Sequence, residues 1–108
     1  MSIMAIYRLS GLDPETFNRC RVEVPIEPIP EGAISHHVAF DEDGLVCVDI
    51  WESEAQLNAF SRDRVNPGLL RLGIPIAAPQ VLELHALWTS TDAERHNLAA
   101  PAPAVEHA

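Results

Sequence analysis

The sequence predicts an α+β domain in which a strand-helix-strand order occurs twice, giving a four-stranded antiparallel sheet with both helices on one face. Three observations predict it. Period-two or continuous apolar patterns mark four strands, at residues 3–9, 33–40, 45–51 and 81–87. Helix-start chemistry follows the first strand at Asp13-Pro14-Glu15 and the third at Ser53-Glu54-Ala55-Gln56. Asp41-Glu42-Asp43-Gly44 reads as a hairpin turn that joins the second strand directly to the third.

In the first strand Ile3, Ala5, Tyr7 and Leu9 point one way and Met4, Ile6 and Arg8 the other. Asp13 suits an N-cap, Pro14 the first helical position and Glu15 the positive end of the dipole. Phe17, Cys20 and Val24 then recur at helical spacing until Pro25. Residues 25–32 hold three prolines and a glycine and read as a loop. The third strand is apolar except for Asp49, with β-branched Val46, Val48 and Ile50 on one face. Ser53 and Gln56 form a capping box for a helix that carries Leu57 and Phe60 inward. Asn66-Pro67 is expected to break this helix. Pro67 can then start a short helix containing Leu69, Leu70 and Leu72, with Gly73 as its stop. In the fourth strand Val81, Glu83, His85 and Leu87 share a face.

This order is the ferredoxin-like βαββαβ plait, with spatial strand order 4-1-3-2. Residues 1–88 form the predicted domain. Residues 89–108 form a C-terminal tail in which 92–100 could make a short helix before Pro101 and Pro103. Both sheet faces are apolar: Met4, Ile6, Val46, Val48, Ile50, Leu82 and Leu84 on one, Ile3, Leu9, Leu45, Trp51, Val81 and Leu87 on the other. A sheet face left to solvent alternates apolar with polar, so two apolar faces predict a homodimer, sheet against sheet.

Composition removes several function classes. The 108 residues suit one modest core, and 47% hydrophobic residues suit a globular chain. Asp and Glu number 16 against 7 Lys and Arg, a formal charge of −9. Such a chain repels phosphate backbones and anionic membrane surfaces, so neither nucleic acid nor membrane is an expected partner. No apolar run approaches the roughly 20 residues of a membrane helix. The start, Met1-Ser2-Ile3-Met4-Ala5-Ile6, lacks the charged residues and cleavage site of a signal peptide. Cys20 and Cys47 both fall on apolar patterns and read as packing thiols. A cytoplasmic location is expected. Phosphate loops, dinucleotide fingerprints and Ser-centred elbows do not occur.

The strand ending in Trp51-Glu52-Ser53, the capped helix ending in Ala59-Phe60, then Pro67, a Leu-rich turn and Val81-Leu82-Glu83-Leu84-His85 together resemble the dimeric α+β barrel superfamily. The resemblance is strongest to its antibiotic-biosynthesis-monooxygenase-like (ABM-like) domains, over about residues 3–88. It implies a dimeric barrel and, in one branch, cofactor-independent formation of quinones. The haem-degrading branch uses an Asn on the first strand, a Trp late in the second helix and a His about ten residues later. Here the first strand has no Asn, Phe60 replaces the Trp and Leu70 falls near the His position. No haem or other cofactor is therefore expected.

One face collects Tyr7, Cys47, Asp49, Glu83 and His85. In a 4-1-3-2 sheet the first strand lies between the third and fourth, so Asp49 and His85 would stand about 10 Å apart with Tyr7 between them. The catalytic candidates are His85, Asp49 and Tyr7. His85 would take a phenolic proton so that an electron-rich aromatic or polyketide-type substrate meets O₂, Tyr7 would orient the substrate oxygen, and Asp49 would orient the base. The competing reading makes each a buried polar residue tied to backbone or to a partner subunit. Burial beside Asp49 should raise the Cys47 pKa and argue against a nucleophile. His36 and His37 point to opposite faces. A two- or four-residue hairpin loop puts His36 with Asp49, a three-residue loop puts His37 there, and His36 is the candidate preferred. His36, Trp51 and Phe60 are the substrate-binding candidates for a small apolar or aromatic ligand, although Trp51 and Phe60 also suit the core. No metal is expected, because His36 and His85 on opposite edge strands would lie about 14 Å apart.

Three functions compete: a cofactor-independent oxygenase, a non-catalytic ligand-binding or accessory dimer, and an isomerase or lyase that moves a proton next to a carbonyl.

Overall fold

The computed structural model describes residues 1–90 and 92. Its elements are β1 (Ile3–Ser10), α1 (Pro14–Glu23), β2 (Ala33–Phe40), β3 (Gly44–Trp51), α2 (Glu54–Phe60), a π-helical stretch (Ser61–Val65), α3 (Asn66–Leu72) and β4 (Gln80–Glu83). The sheet is antiparallel throughout, in the order β2-β3-β1-β4. This is the predicted 4-1-3-2 order read from the opposite edge.

Local chemistry sets the boundaries. The Asp13 carboxylate accepts the Thr16 N–H at 2.8 Å and opens α1. Asp41 organises the hairpin: its carboxylate accepts N–H groups from Asp43 at 2.8 Å and Gly44 at 3.1 Å, and its own N–H donates to the Gly44 carbonyl at 2.9 Å. Gly44 takes φ 146°, and a Cβ there would strike the Leu9 carbonyl. The Ser53 hydroxyl accepts the Gln56 N–H at 3.2 Å and donates to the Gln56 side chain at 2.9 Å, starting α2. Gly73, at φ 71°, ends α3, with the N–H groups of Gly73 and Ile74 returning to Leu70 and Leu69.

Two expectations are corrected. Asn66-Pro67 does not break the second helix. The chain widens at Ser61–Val65, where the Asn66 N–H reaches back to the Ser61 carbonyl, and it runs on into α3. A widened turn makes room for a proline ring and leaves no bond for its missing N–H to lose. The fourth strand is also shorter than residues 81–87, ending at Glu83. Glu83 lies opposite Ile3, and the Leu84 N–H makes one further bond to the Ser2 carbonyl. β4 thus pairs with only the first half of β1, Ile3 to Ile6. The predicted tail from residue 93 onward lies outside the described residues.

The sheet faces are now distinguishable. Ile3, Ala5, Tyr7, Leu9, Leu45, Cys47, Asp49 and Trp51, with Val38 from β2, face the helices. They pack in two clusters, one around Trp51 and Leu57 and one around Leu12, Cys20, Leu45 and Cys47, and Tyr7 touches both. On the other face stand Met4, Ile6, Val46, Val48, Ile50 and Leu82. Ile50 is closed off at 3% exposure, whereas Leu82 is 45% exposed. Among the described residues no helix is long and apolar enough to cross a membrane.

Candidate functional site

The helix-facing side of the sheet carries a small polar group inside an apolar surround. Asp49 is the one charged residue of β3, and its neighbours Cys47 and Trp51 on the same face are buried. The four-residue hairpin pairs Phe40 with Leu45 and hence His36 with Asp49. His36 Nδ1 lies 2.5 Å from Asp49 Oδ1, with the imidazole 57% exposed and the carboxyl 10% exposed. The Cys47 S–H donates to the same Oδ1 at 3.3 Å and lies 3.7 Å from His36 Nδ1. Asp49 is thus a buried carboxylate satisfied from two sides, by an imidazole that reaches solvent and a thiol that does not.

Tyr7 lies directly opposite Cys47 on the central ladder. Burial holds its phenol above the usual value of 10.0, a hydrogen bond with Ser61 opposes that shift, and the Asp49 charge adds to it. Burial first, then the Asp49 charge and hydrogen bond, push the Cys47 thiol far above its usual 9.0. Cys47 is therefore no nucleophile in this state, in line with its expected environment.

The other candidates sit elsewhere. Trp51 is 2% exposed and stacks on Phe60 with ring centroids 5.5 Å apart, so it backs Phe60 within the core. Arg64 covers the Phe60 ring at 5.6 Å. His85 does not join Asp49 and Tyr7 in one row. Val81 is level with Ala5 and Asp49, so His85 is four residues further along, about 13 Å at strand rise. The short pairing of β4 with the start of β1 causes this offset. His37, on the opposite face, bonds the Val48 carbonyl at 2.7 Å.

Two members of the polar group lay outside the candidates drawn from sequence. Ser61 opens the widened helical stretch and meets Tyr7 across the core, a tertiary contact that its position in the sequence does not signal. Cys47 did carry a signal: it stands two residues from Asp49 on one strand, so both side chains share a face.

No family model matches the chain, and no curated protein matches it in sequence. Solved structures do. A protein from Chloroflexus aurantiacus J-10-fl named "putative Antibiotic biosynthesis monooxygenase" matches with a TM-score of 0.53 and 18% identity, over 82% of this chain and 94% of that one. A conserved protein from Methanosarcina mazei Go1 matches with a TM-score of 0.47 and 17% identity, over 75% of this chain and 86% of that one. The first likeness shows a shared fold, the ferredoxin-like α+β plait expected from the sequence.

Proposed function

We propose that this chain is a small cofactor-independent monooxygenase-like enzyme that acts on an aromatic or polyketide-type substrate. The observation that carries the proposal is the His36–Asp49 pair, 2.5 Å apart on the helix-facing side of the sheet beside Tyr7. A carboxylate that accepts the Nδ1 hydrogen fixes the imidazole tautomer and leaves Nε2 free to accept a proton. His36 therefore takes the acid–base role that the sequence pattern suggests for His85. A phenolic or enolic substrate gives its proton to Nε2, and the resulting anion reduces O₂. One oxygen atom remains as a new carbonyl. The other leaves as water with the hydrogen of the oxidised carbon and the proton returned by Nε2, and the substrate is the sole reductant. Tyr7 orients the substrate oxygen, and Phe60, backed by Trp51, supplies an apolar floor.

The unit proposed is a homodimer in the cytoplasm, where Cys20 and Cys47 remain free thiols. Met4, Ile6, Val46, Val48 and Leu82 form an apolar sheet face on the side away from the described helices, and a second copy would bury it.

One observation favours a second reading, a non-catalytic ligand-binding or accessory dimer. Two depressions, of about 90 and 200 Å³, lie near the Asp41–Gly44 hairpin, and neither is lined by Tyr7, His36 or Asp49. Oxygen uptake with hydroquinone- and anthrone-type substrates decides between the two. The oxygenase reading expects turnover that falls about 10²- to 10⁴-fold in His36→Gln and is unchanged in His85→Ala. Ligand binding without oxygen uptake would establish the second reading instead.

A further inference from the structure

We propose that His36, Cys47 and Asp49 form a binding site for a divalent transition metal of zinc type, with three protein ligands and one open position. The three ligand atoms, His36 Nδ1, Cys47 Sγ and an Asp49 oxygen, lie within 4.8 Å of one another. A tetrahedral zinc ion with ordinary bond lengths holds such N, S and O atoms about 3.3–3.6 Å apart. The Cys47–Asp49 and Cys47–His36 separations, 3.3 and 3.7 Å, already match that frame. The His36–Asp49 separation of 2.5 Å must open by about 0.8 Å to reach it. His36 can move by that amount because it is on the edge strand β2 and is 57% exposed, which also gives the ion its way in.

The donor set is selective. One thiolate, one imidazole and one carboxylate suit a borderline ion such as Zn²⁺ or Co²⁺ and do not suit Mg²⁺ or Ca²⁺, which take oxygen ligands. The ion replaces the hydrogens that now bridge the three side chains. The Cys47 proton leaves to solvent as the S–metal bond forms, and the imidazole coordinates through Nδ1 with its hydrogen on Nε2. One proton is released per ion and nothing is oxidised.

The expectation that no metal binds rested on the distance from His36 to His85. The ligand that replaces His85 is Cys47, two residues from Asp49 on the same strand. Metal binding stands apart from the proposed oxidation and is incompatible with it. A metal on Nδ1 forces the hydrogen onto Nε2, the atom that the oxidation uses as proton acceptor. A loaded site is a closed one.

Titration of the full chain with Co²⁺, followed by competition with Zn²⁺, tests the site. The expected result is one ion per chain, with a thiolate-to-cobalt charge-transfer band that disappears in Cys47→Ser. Affinity should fall more than about tenfold in His36→Gln, whose side chain is exposed enough to change without unfolding. Cys20→Ser and His37→Gln should bind like the unaltered protein. Binding without the charge-transfer band, binding equally strong in Cys47→Ser, or no saturable binding at millimolar metal would each overturn the proposal. The titration needs no substrate, so a silent oxygen assay leaves it standing, and its own failure leaves the oxidation untouched.

Discussion

His36 and Asp49 face each other across the β2–β3 ladder with 2.5 Å between Nδ1 and Oδ1, although one side chain is 57% exposed and the other 10%. A buried carboxylate thus depends on a partner that stands half in water. Removing that partner leaves Asp49 with Cys47 alone. His36→Ala is expected to cost about 1–2 kcal/mol in urea unfolding. Replacing both residues by Val should lie within about 1 kcal/mol of the unaltered protein, because the buried charge goes with its partner. A double variant as unstable as the sum of its singles would show that the two residues do not stabilise each other, and would overturn this dependence.

Tyr7 separates packing from chemistry. Its ring bridges both core clusters and its hydroxyl meets Ser61. Tyr7→Phe should fold normally and lose up to about 100-fold in substrate turnover, through misplacement of the substrate oxygen. Tyr7→Ala should instead cost about 3 kcal/mol of stability. Thermal melts alongside oxygen uptake distinguish the two effects.

The apolar sheet face turned away from the described helices supplies an assembly test. Val48 lies opposite Ile6 near the middle of that face. Val48→Lys should convert a dimer to a monomer in light scattering, with far-UV circular dichroism preserved. A monomeric mass for the unaltered protein at micromolar concentration would remove the dimer outright.

Asp13 gives a pH signature. Its hydrogen bonds from Thr16 hold the carboxyl below its usual 3.8. A depressed folded value means that its contribution is complete above 3.8 and is lost as pH falls through the lower folded value. The Asp13→Asn variant keeps an acceptor at the cap but cannot be protonated in this range. The difference in melting temperature between the unaltered protein and Asp13→Asn should therefore be constant near neutrality and shift in favour of the variant below pH 3.8.

Gly68 tests how closely α1 and α3 approach. A Cβ there would stand 2.6 Å from Val24 Cγ2 and 2.7 Å from the Glu23 carbonyl oxygen. Gly to Ala inside a helix ordinarily stabilises by up to about 1 kcal/mol. Here a backbone oxygen blocks the methyl group, and Gly68→Ala should destabilise by about 1–3 kcal/mol in chemical denaturation.

Much of this molecule could be read from its residues, and the unread parts share a cause. Asp13, Asp41, Gly44, Ser53 and Gly73 each act within a few residues of themselves, so the turn and cap chemistry located their elements. The parity of β2 against β3 followed from the same local loop, which is why His36 could be matched with Asp49. The extent of β4 depends on where a distant strand begins, and the widening at Ser61 depends on how a helix accommodates Pro67 against the sheet. Those are tertiary facts, and they displaced His85 and introduced Ser61. Cys47 shares a face with Asp49 by strand parity alone, but its approach to His36 requires the register between two strands.

The adjacent imidazoles of His36 and His37 give the hairpin an unequal tolerance to insertion. One residue gained between Phe40 and Leu45 would turn β2 over and bring His37 to Asp49 in place of His36. An imidazole would face the carboxylate in either frame. Val38 would leave the core and Phe40 would lose its edge contact with Phe17, now at 6.1 Å. Length variants of this hairpin would thus be eliminated by folding before they were eliminated by chemistry.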